Sequence, residues 1–152
     1  MNNYIEEYVF YNKYHTNVYN KIIHMIGIPF IVWSTFLFTH RFKILESRLS
    51  SIIYLFYFNN YYLLNENLSY RSGLFYYFIY KDSLNYYKNN KPWKTFKLAF
   101  YIQLLAWGLQ LLGHKYLENN KPAFFQNLKQ SLLIAPLFGY KHLENLILYR
   151  TI

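Results

Sequence analysis

The chain has no cysteine among its 152 residues. That excludes disulfides, thiol nucleophiles and thiolate metal sites, and leaves histidine, carboxylate and amide groups to hold any metal. Charge is also scarce. Charged residues make up 15% of the chain against 54% hydrophobic, well short of the roughly 25% charge of a typical soluble domain. So little charge cannot coat a globule of this size, and much of the surface is expected to face lipid. Acidic residues number 7 against 16 basic. A basic, aromatic-rich chain raises the question of nucleic acid. Here the basic residues stand singly between apolar runs instead of forming a stripe with interleaved aromatics, so no nucleic-acid partner is expected. Flanks drawn to anionic headgroups account for them better. No cleavable signal is expected at the N-terminus, where Glu6 and Glu7 occupy the place of a basic region.

The mean hydropathy is near zero because Tyr, present 19 times, and Asn are scored harshly. Spans are therefore read from runs without charge. The length fits a single domain over residues 1–152. Asn2 to Lys13 reads as a short interfacial helix. A helix capped by Thr16 or Asn17 then runs to Thr39, free of Lys, Arg, Asp and Glu from Ile22 onward. A kink is expected just past His24, because Pro29 removes an amide donor and crowds the carbonyl near Met25. His40 to Arg48 reads as a basic connector with a solvated His40. Ser50–Leu64 is a second uncharged run, and Asn65–Ser72 a polar turn. Gly73–Tyr80 is a short third run ending at Lys81-Asp82. After a basic loop over Lys88–Lys97, Leu98–Gly113 forms a clean span. Asn119 to Pro122 breaks that helix, the next one carries Gln126 and Gln130, and a last apolar helix from Leu132 holds Lys141, His142 and Glu144. The expected fold is all-α, a multi-pass membrane bundle of about four to five hydrophobic helices plus short interfacial ones.

Two polar stripes carry the chemistry. Gln110, His114 and Glu118 recur at i, i+4 and i+8 on one face of the fourth run, extended by Gln103 and Trp107. Asn17, Asn20 and His24 share a face of the first. Packing at a membrane–water boundary would satisfy either stripe alone. His15 lies nine positions before His24, opposite it on a straight helix, but a cap at Thr16 or Asn17 frees it to fold back. His24 heads its helix and His114 ends the fourth run. They reach the same side of a bilayer only if an even number of spans separates them, so the short third run must cross.

The string Tyr14-His15-x-Asn17-x-x-Asn20-Lys21-x-x-His24-x-x-Gly27-Ile28-Pro29 resembles the N-terminal signature of the fungal-type 2-hydroxy-fatty-acid dioxygenase family. Trp107-x-x-Gln110-x-x-Gly113-His114-x-x-x-Glu118-x-x-x-Pro122-Ala123, followed by Gln130-x-Leu132-x-x-Ala135-Pro136-x-Phe138, is similar to its C-terminal signature. The chain departs from the family pattern at His142, where a glutamate is usual.

The resemblance implies an Fe(II)-dependent enzyme of the endoplasmic reticulum membrane. It would remove C1 from 2-hydroxy fatty acids released in sphingoid-base breakdown, with O2 as co-substrate. A substrate chelating through hydroxyl and carboxylate, plus O2, leaves an octahedral ion three positions for protein. His15, His24 and His114 fill these, with Glu118 orienting a histidine. Two histidines with Glu118 as the carboxylate is the rival set, and His142 is a further candidate near the metal. Asn17, Asn20 and Gln110 are candidates for bonds to ligands or substrate oxygens, and Lys21 for the substrate carboxylate. A non-enzymatic lipid-binding or scaffold protein accounts equally for the hydrophobicity, and a zinc hydrolase on the same histidines is a third reading. Orientation and oligomeric state are not legible, since the basic residues divide almost evenly between the connectors.

Overall fold

In the computed structural model, residues 2–118 and 130–149 are described. The protein is all-α. Among the described residues six α-helices follow in order: α1 (Asn2–Lys13), α2 (Val18–Thr39), α3 (Leu49–Leu64), α4 (Glu66–Asn89), α5 (Pro92–Leu117) and α6 (Ala135–Tyr149), the last entered through a π-helical turn over Gln130–Ile134. Among the described residues α2 and α5 are the two helices long and apolar enough to cross a bilayer. The expected break at Asn119–Pro122 and the helix bearing Gln126 lie outside the described residues. The chain divides into two compact units, residues 1–28 with 107–152, and residues 29–106.

Local chemistry sets the ends of α2. Asn17 caps it, its Oδ1 accepting from the Tyr19 amide at 2.9 Å. The helix is α-helical on both sides of Pro29 and ends at Thr39.

In the unit of residues 29–106, a short antiparallel ribbon joins α2 to α3, pairing Lys43 with Arg48 and Ile44 with Ser47. Its turn places Leu45 and Glu46 at φ 47° and 65°, the left-handed pair a tight two-residue hairpin needs. The connector is thus more ordered than its basic composition suggests, and His40 is not solvated. It is fully buried. The Ser83 hydroxyl donates to the Tyr80 carbonyl at 2.8 Å, so its oxygen accepts from His40 Nε2–H at 2.9 Å. The remaining Nδ1 accepts from Ser50 Oγ at 2.6 Å. Arg48 donates to the His40 carbonyl at 2.7 Å.

The expected polar turn at 65–72 shrinks to one residue. Asn65, in extended conformation, ends α3 by donating its amide to the Tyr61 carbonyl at 2.9 Å and starts α4 by accepting from the Leu68 amide at 2.9 Å. The polar residues after it are the first turns of a long helix. Nor does Lys81-Asp82 end α4, which runs 24 residues. The Asp82 carboxylate accepts from the Trp33 indole N–H at 2.7 Å, so a charge that looks like a helix end is a contact to α2. Gly73 lets α3 and α4 close up, because a methyl there would overlap the Phe58 ring.

Candidate metal centre

Every residue of the candidate centre belongs to the unit of residues 1–28 and 107–152. The turn between α1 and α2 carries His15, the second turn of α2 carries His24, and the last turn of α5 carries His114. One ring nitrogen from each lies within 4.8 Å of the others, and all three residues are buried. That is the scale on which one ion bonded at about 2 Å to each imidazole sits between them. The rings meet edge to face, centroids 4.4 Å apart for His15–His24 and 4.9 Å for each of the other pairs.

The backbone decides which nitrogen each ring offers. His15 Nδ1–H donates to the Tyr11 carbonyl at 2.8 Å, and His24 Nδ1–H donates to the Asn20 carbonyl at 2.9 Å. Both bonds reach back four residues, fixing the tautomer and leaving Nε2 with its lone pair. His15 Nε2 and His114 Nδ1 are buried without a hydrogen-bond partner. Burial first, then the neighbouring His24 ring, holds the His15 pKa well below its usual value. The imidazole is therefore neutral near pH 7, the form that ligates metals. Buried, neutral nitrogens left open toward one another are costly as packing and are what a nitrogen-liking divalent ion requires. The donor set fits Fe(II).

Glu118 does not join the three rings. Its Oε1 accepts from the Asn17 amide at 3.0 Å and from Asn20 Nδ2 at 2.9 Å. Its Oε2 accepts from the Thr16 amide at 3.1 Å and the Thr16 hydroxyl at 2.6 Å. Burial alone would raise the pKa of this carboxyl, but the donors from Thr16, Asn20 and Asn17 outweigh it and the net shift is downward. The carboxylate is a clasp from the end of α5 onto the unpaired amides that open α2. Because His15 and His24 flank those amides and His114 sits one turn before Glu118, the clasp sets the spacing of all three rings.

Two glycines bring the helices close enough for this. At Gly113 a methyl would overlap the Asn20 amide oxygen, and at Gly27 it would press on Gln110 Nε2. Each helix thus receives the other's amide side chain at a glycine. Asn20 is fully buried, with Nδ2 and its carbonyl engaged and Oδ1 without a partner. Gln110 Nε2 is likewise buried and unpartnered. Asn17 is used as cap and clasp contact. Lys21 is half-buried on α2. His142 is buried on α6 but is not one of the three converging rings. Glu144 is held on its own helix, by Lys141 Nζ at 3.0 Å and the Tyr140 hydroxyl at 3.3 Å.

One contributor escaped the sequence reading. Tyr11 lies flat against His15, centroids 4.0 Å apart with 15° between planes, as well as accepting its N–H. Its position four residues before His15, on a helix expected there, was the available signal.

The chain matches, over residues 1–146, the model of a family described as 2-hydroxy-palmitic acid dioxygenase Mpo1-like. It belongs to the Mpo1-like family. Among curated proteins it is similar to 2-hydroxy-palmitic acid dioxygenase MPO1 of Saccharomyces cerevisiae, with 31% identity over 130 residues that cover 85% of this chain and 72% of the yeast protein. No solved structure matches. The Mpo1-like match spans both halves of the centre, taking in His15 and His24 as well as His114, Glu118 and His142.

Proposed function

We propose that the chain is a membrane-embedded, Fe(II)-dependent dioxygenase that shortens 2-hydroxy fatty acids by one carbon. The observation that carries this reading is the convergence of three buried histidine nitrogens in a member of a family whose yeast relative is named a 2-hydroxy-palmitic acid dioxygenase. The overall change, R–CH(OH)–COOH + O2 to R–COOH + CO2 + H2O, balances without an external reductant. It therefore needs no organic cofactor.

His15, His24 and His114 would hold the ion and leave its remaining positions to the substrate and O2. Bound there, Fe(II) supplies open positions at which both reactants are brought together and oxygen is activated. The residues of the chain do the rest. The Tyr11 and Asn20 carbonyls orient two of the imidazoles. Glu118 holds the start of α2 against the end of α5 and acts as a positioning residue. The buried Asn20 Oδ1 is suited to accept from the substrate's 2-hydroxyl, and Gln110 Nε2 to donate to a substrate oxygen. Burial of the three histidines keeps bulk water from competing for the open positions.

Two long apolar helices and a long-chain substrate agree with a membrane setting. We place the protein in the endoplasmic reticulum membrane as a multi-pass bundle, the remaining helices completing it. The test is anaerobic reconstitution of the purified chain with Fe(II), followed by product analysis with 2-hydroxypalmitate and palmitate. One iron per chain and a C15 acid from the hydroxy acid alone are expected. His15→Ala, His24→Ala and His114→Ala each abolish both iron uptake and conversion. A chain that takes up no iron under these conditions sinks the enzyme in favour of a lipid-binding or scaffold protein.

A further inference from the structure

One end of the unit of residues 29–106 carries side chains that helix packing leaves unused. There α2 ends at Thr39 and the ribbon of residues 43–48 follows. Phe38 packs against Phe96, centroids 5.7 Å apart, and the Arg48 guanidinium lies over the Tyr87 ring at 5.4 Å. Arg41, Tyr87 and Phe96 line one small cavity. These contacts set the ribbon beside the turn between α4 and α5, so two connectors distant in sequence form one surface.

That surface is basic and apolar together. Arg41, Lys43 and Arg48 come from the ribbon side and Lys88, Lys91, Lys94 and Lys97 from the other, with Glu46 the one acid in residues 40–48 and 88–97. All the cations but Arg48 are exposed, and among the described residues none of them has an ion-pair partner. Among these charges stand exposed apolar side chains, Phe42, Ile44, Leu45 and Trp93. The Leu49 amide donates to the Phe42 carbonyl at 2.9 Å, which extends the ribbon by one pair. Alternation then sets Phe42 and Ile44 on one face and Lys43 on the other.

The tip is the telling residue. Leu45 is 94% exposed, more than any other large hydrophobic among the described residues. The turn also holds it at φ 47°, a conformation that crowds a side chain and that Asn or Gly usually adopts in such hairpins. A leucine there gives the fold neither backbone ease nor buried area. Strain of this kind gathers where a segment meets something outside the chain. A nucleic acid would answer the charges and leave the leucine in water. An apolar protein groove would take the leucine and leave the lysines unanswered. A bilayer surface answers both, with anionic phosphates outermost and acyl chains just beneath. Trp favours that depth, and the ribbon directly follows a helix long and apolar enough to cross a bilayer.

We propose that Phe42, Ile44 and Leu45 insert into the headgroup–acyl boundary of an anionic leaflet, with Arg41, Lys43 and the lysines of residues 88–97 on its phosphates. This rests on the membrane setting of the dioxygenase reading and adds to it a preference for a lipid class.

The absence of cysteine allows a direct test in the full chain. Leu45→Cys carries one nitroxide label, and the protein is placed in nanodiscs of phosphatidylcholine with or without phosphatidylserine. Collision rates are measured with O2, which concentrates in lipid, and with a water-soluble nickel chelate. With phosphatidylserine the label is expected about 5–10 Å below the phosphates, open to O2 and closed to the chelate. It is expected to lie shallower in phosphatidylcholine alone. Adding Arg41→Gln and Lys43→Gln should move it outward in the anionic discs. A label open to the chelate in both lipids overturns the proposal, as does one equally deep in both. A label reached by neither probe means that a protein surface covers the tip, which also overturns it. Phe30→Cys, at an exposed position of α2, separates the two readings. If its label faces lipid while that at residue 45 is wet, the anchor fails and the membrane setting stands. If its label is open to the chelate, the membrane setting itself fails and the anchor with it.

Discussion

Glu118 and Asn20, 98 positions apart in sequence, are joined by a 2.9 Å hydrogen bond from the Asn20 amide to Glu118 Oε1. Asn20 also supplies the carbonyl that orients His24. The bond therefore links the end of α5, which carries His114, to the group that aims a ring on α2. A carboxylate could have entered the ligand set here. It does not need to, because four donors already occupy its two oxygens.

Glu118→Gln turns one acceptor oxygen into a donor that faces other donors. Bonds to a charged group contribute about 1.5–3 kcal/mol each when buried, and less here because Glu118 and Thr16 are partly open to solvent. A loss of about 2 kcal/mol is expected, read as a fall in Tm, with weakened Fe(II) affinity as the rings lose their spacing. Thr16→Val removes one donor only and should show a smaller fall in Tm with iron retained. Unchanged Tm and iron affinity in Glu118→Gln would refute the clasp.

Gly113→Ala tests the helix approach that the clasp depends on. The added methyl overlaps the Asn20 amide oxygen, and overpacking of this kind costs about 1–3 kcal/mol. Combining it with Asn20→Ser should recover part of that loss, a coupling a double-mutant cycle detects. Additive losses in Tm would mean that the strain lies elsewhere.

Much of the centre was legible because its geometry is local. Asn17 capping α2, His15 freed from the helix, and His114 sharing a face with Gln110 and Glu118 all follow from spacings within one or two turns. What was not legible is decided by partners distant in sequence. Lys81-Asp82 reads as a helix end until Trp33 supplies a hydrogen bond to Asp82. His40 reads as solvated until Ser50 and Ser83 close on both its nitrogens. The polar string after Asn65 reads as a turn because its helix is set by a single cap and by packing on α3. The role of Glu118 was open for the same reason, since a carboxylate near a histidine serves metal, imidazole or backbone amides equally well in sequence.

His40 gives a pH dependence with a defined sign. Burial first, and Arg48 second, lower its pKa to about 4 from the ordinary 6.5. Both ring nitrogens are engaged in a way that requires the neutral ring, Nδ1 as acceptor and Nε2 as donor. The unfolded chain takes up the proton first as pH falls, so the stabilisation is fully present above about pH 6.5 and is lost as pH drops toward 4. Tm is expected to decline across that window in the wild type and less steeply in His40→Gln, which starts lower. Parallel Tm profiles for the two proteins would show that His40 is not the titrating group.

Gln103 offers a contrast between removing a donor and inserting a charge. Its Nε2 donates toward the Ile31 carbonyl and the Ser34 and Thr35 hydroxyl oxygens, at 3.0, 3.0 and 2.8 Å. Those hydroxyls already donate to carbonyls of their own helix, so Gln103→Leu leaves neither of them as a stranded donor and should cost only about 0.5–1.5 kcal/mol for these contacts. Gln103→Glu replaces the donor with an anion facing three oxygens on an apolar helix. The cost is the desolvation of a charge without a cation, and Tm at pH 7.5 should fall well below that of Gln103→Leu. Lowering the pH protonates the carboxyl, restores a donor and should narrow the gap. Equal Tm for the two variants at both pH values would mean that this position is solvated, and the polar stripe on α5 would lose its inward-facing upper half.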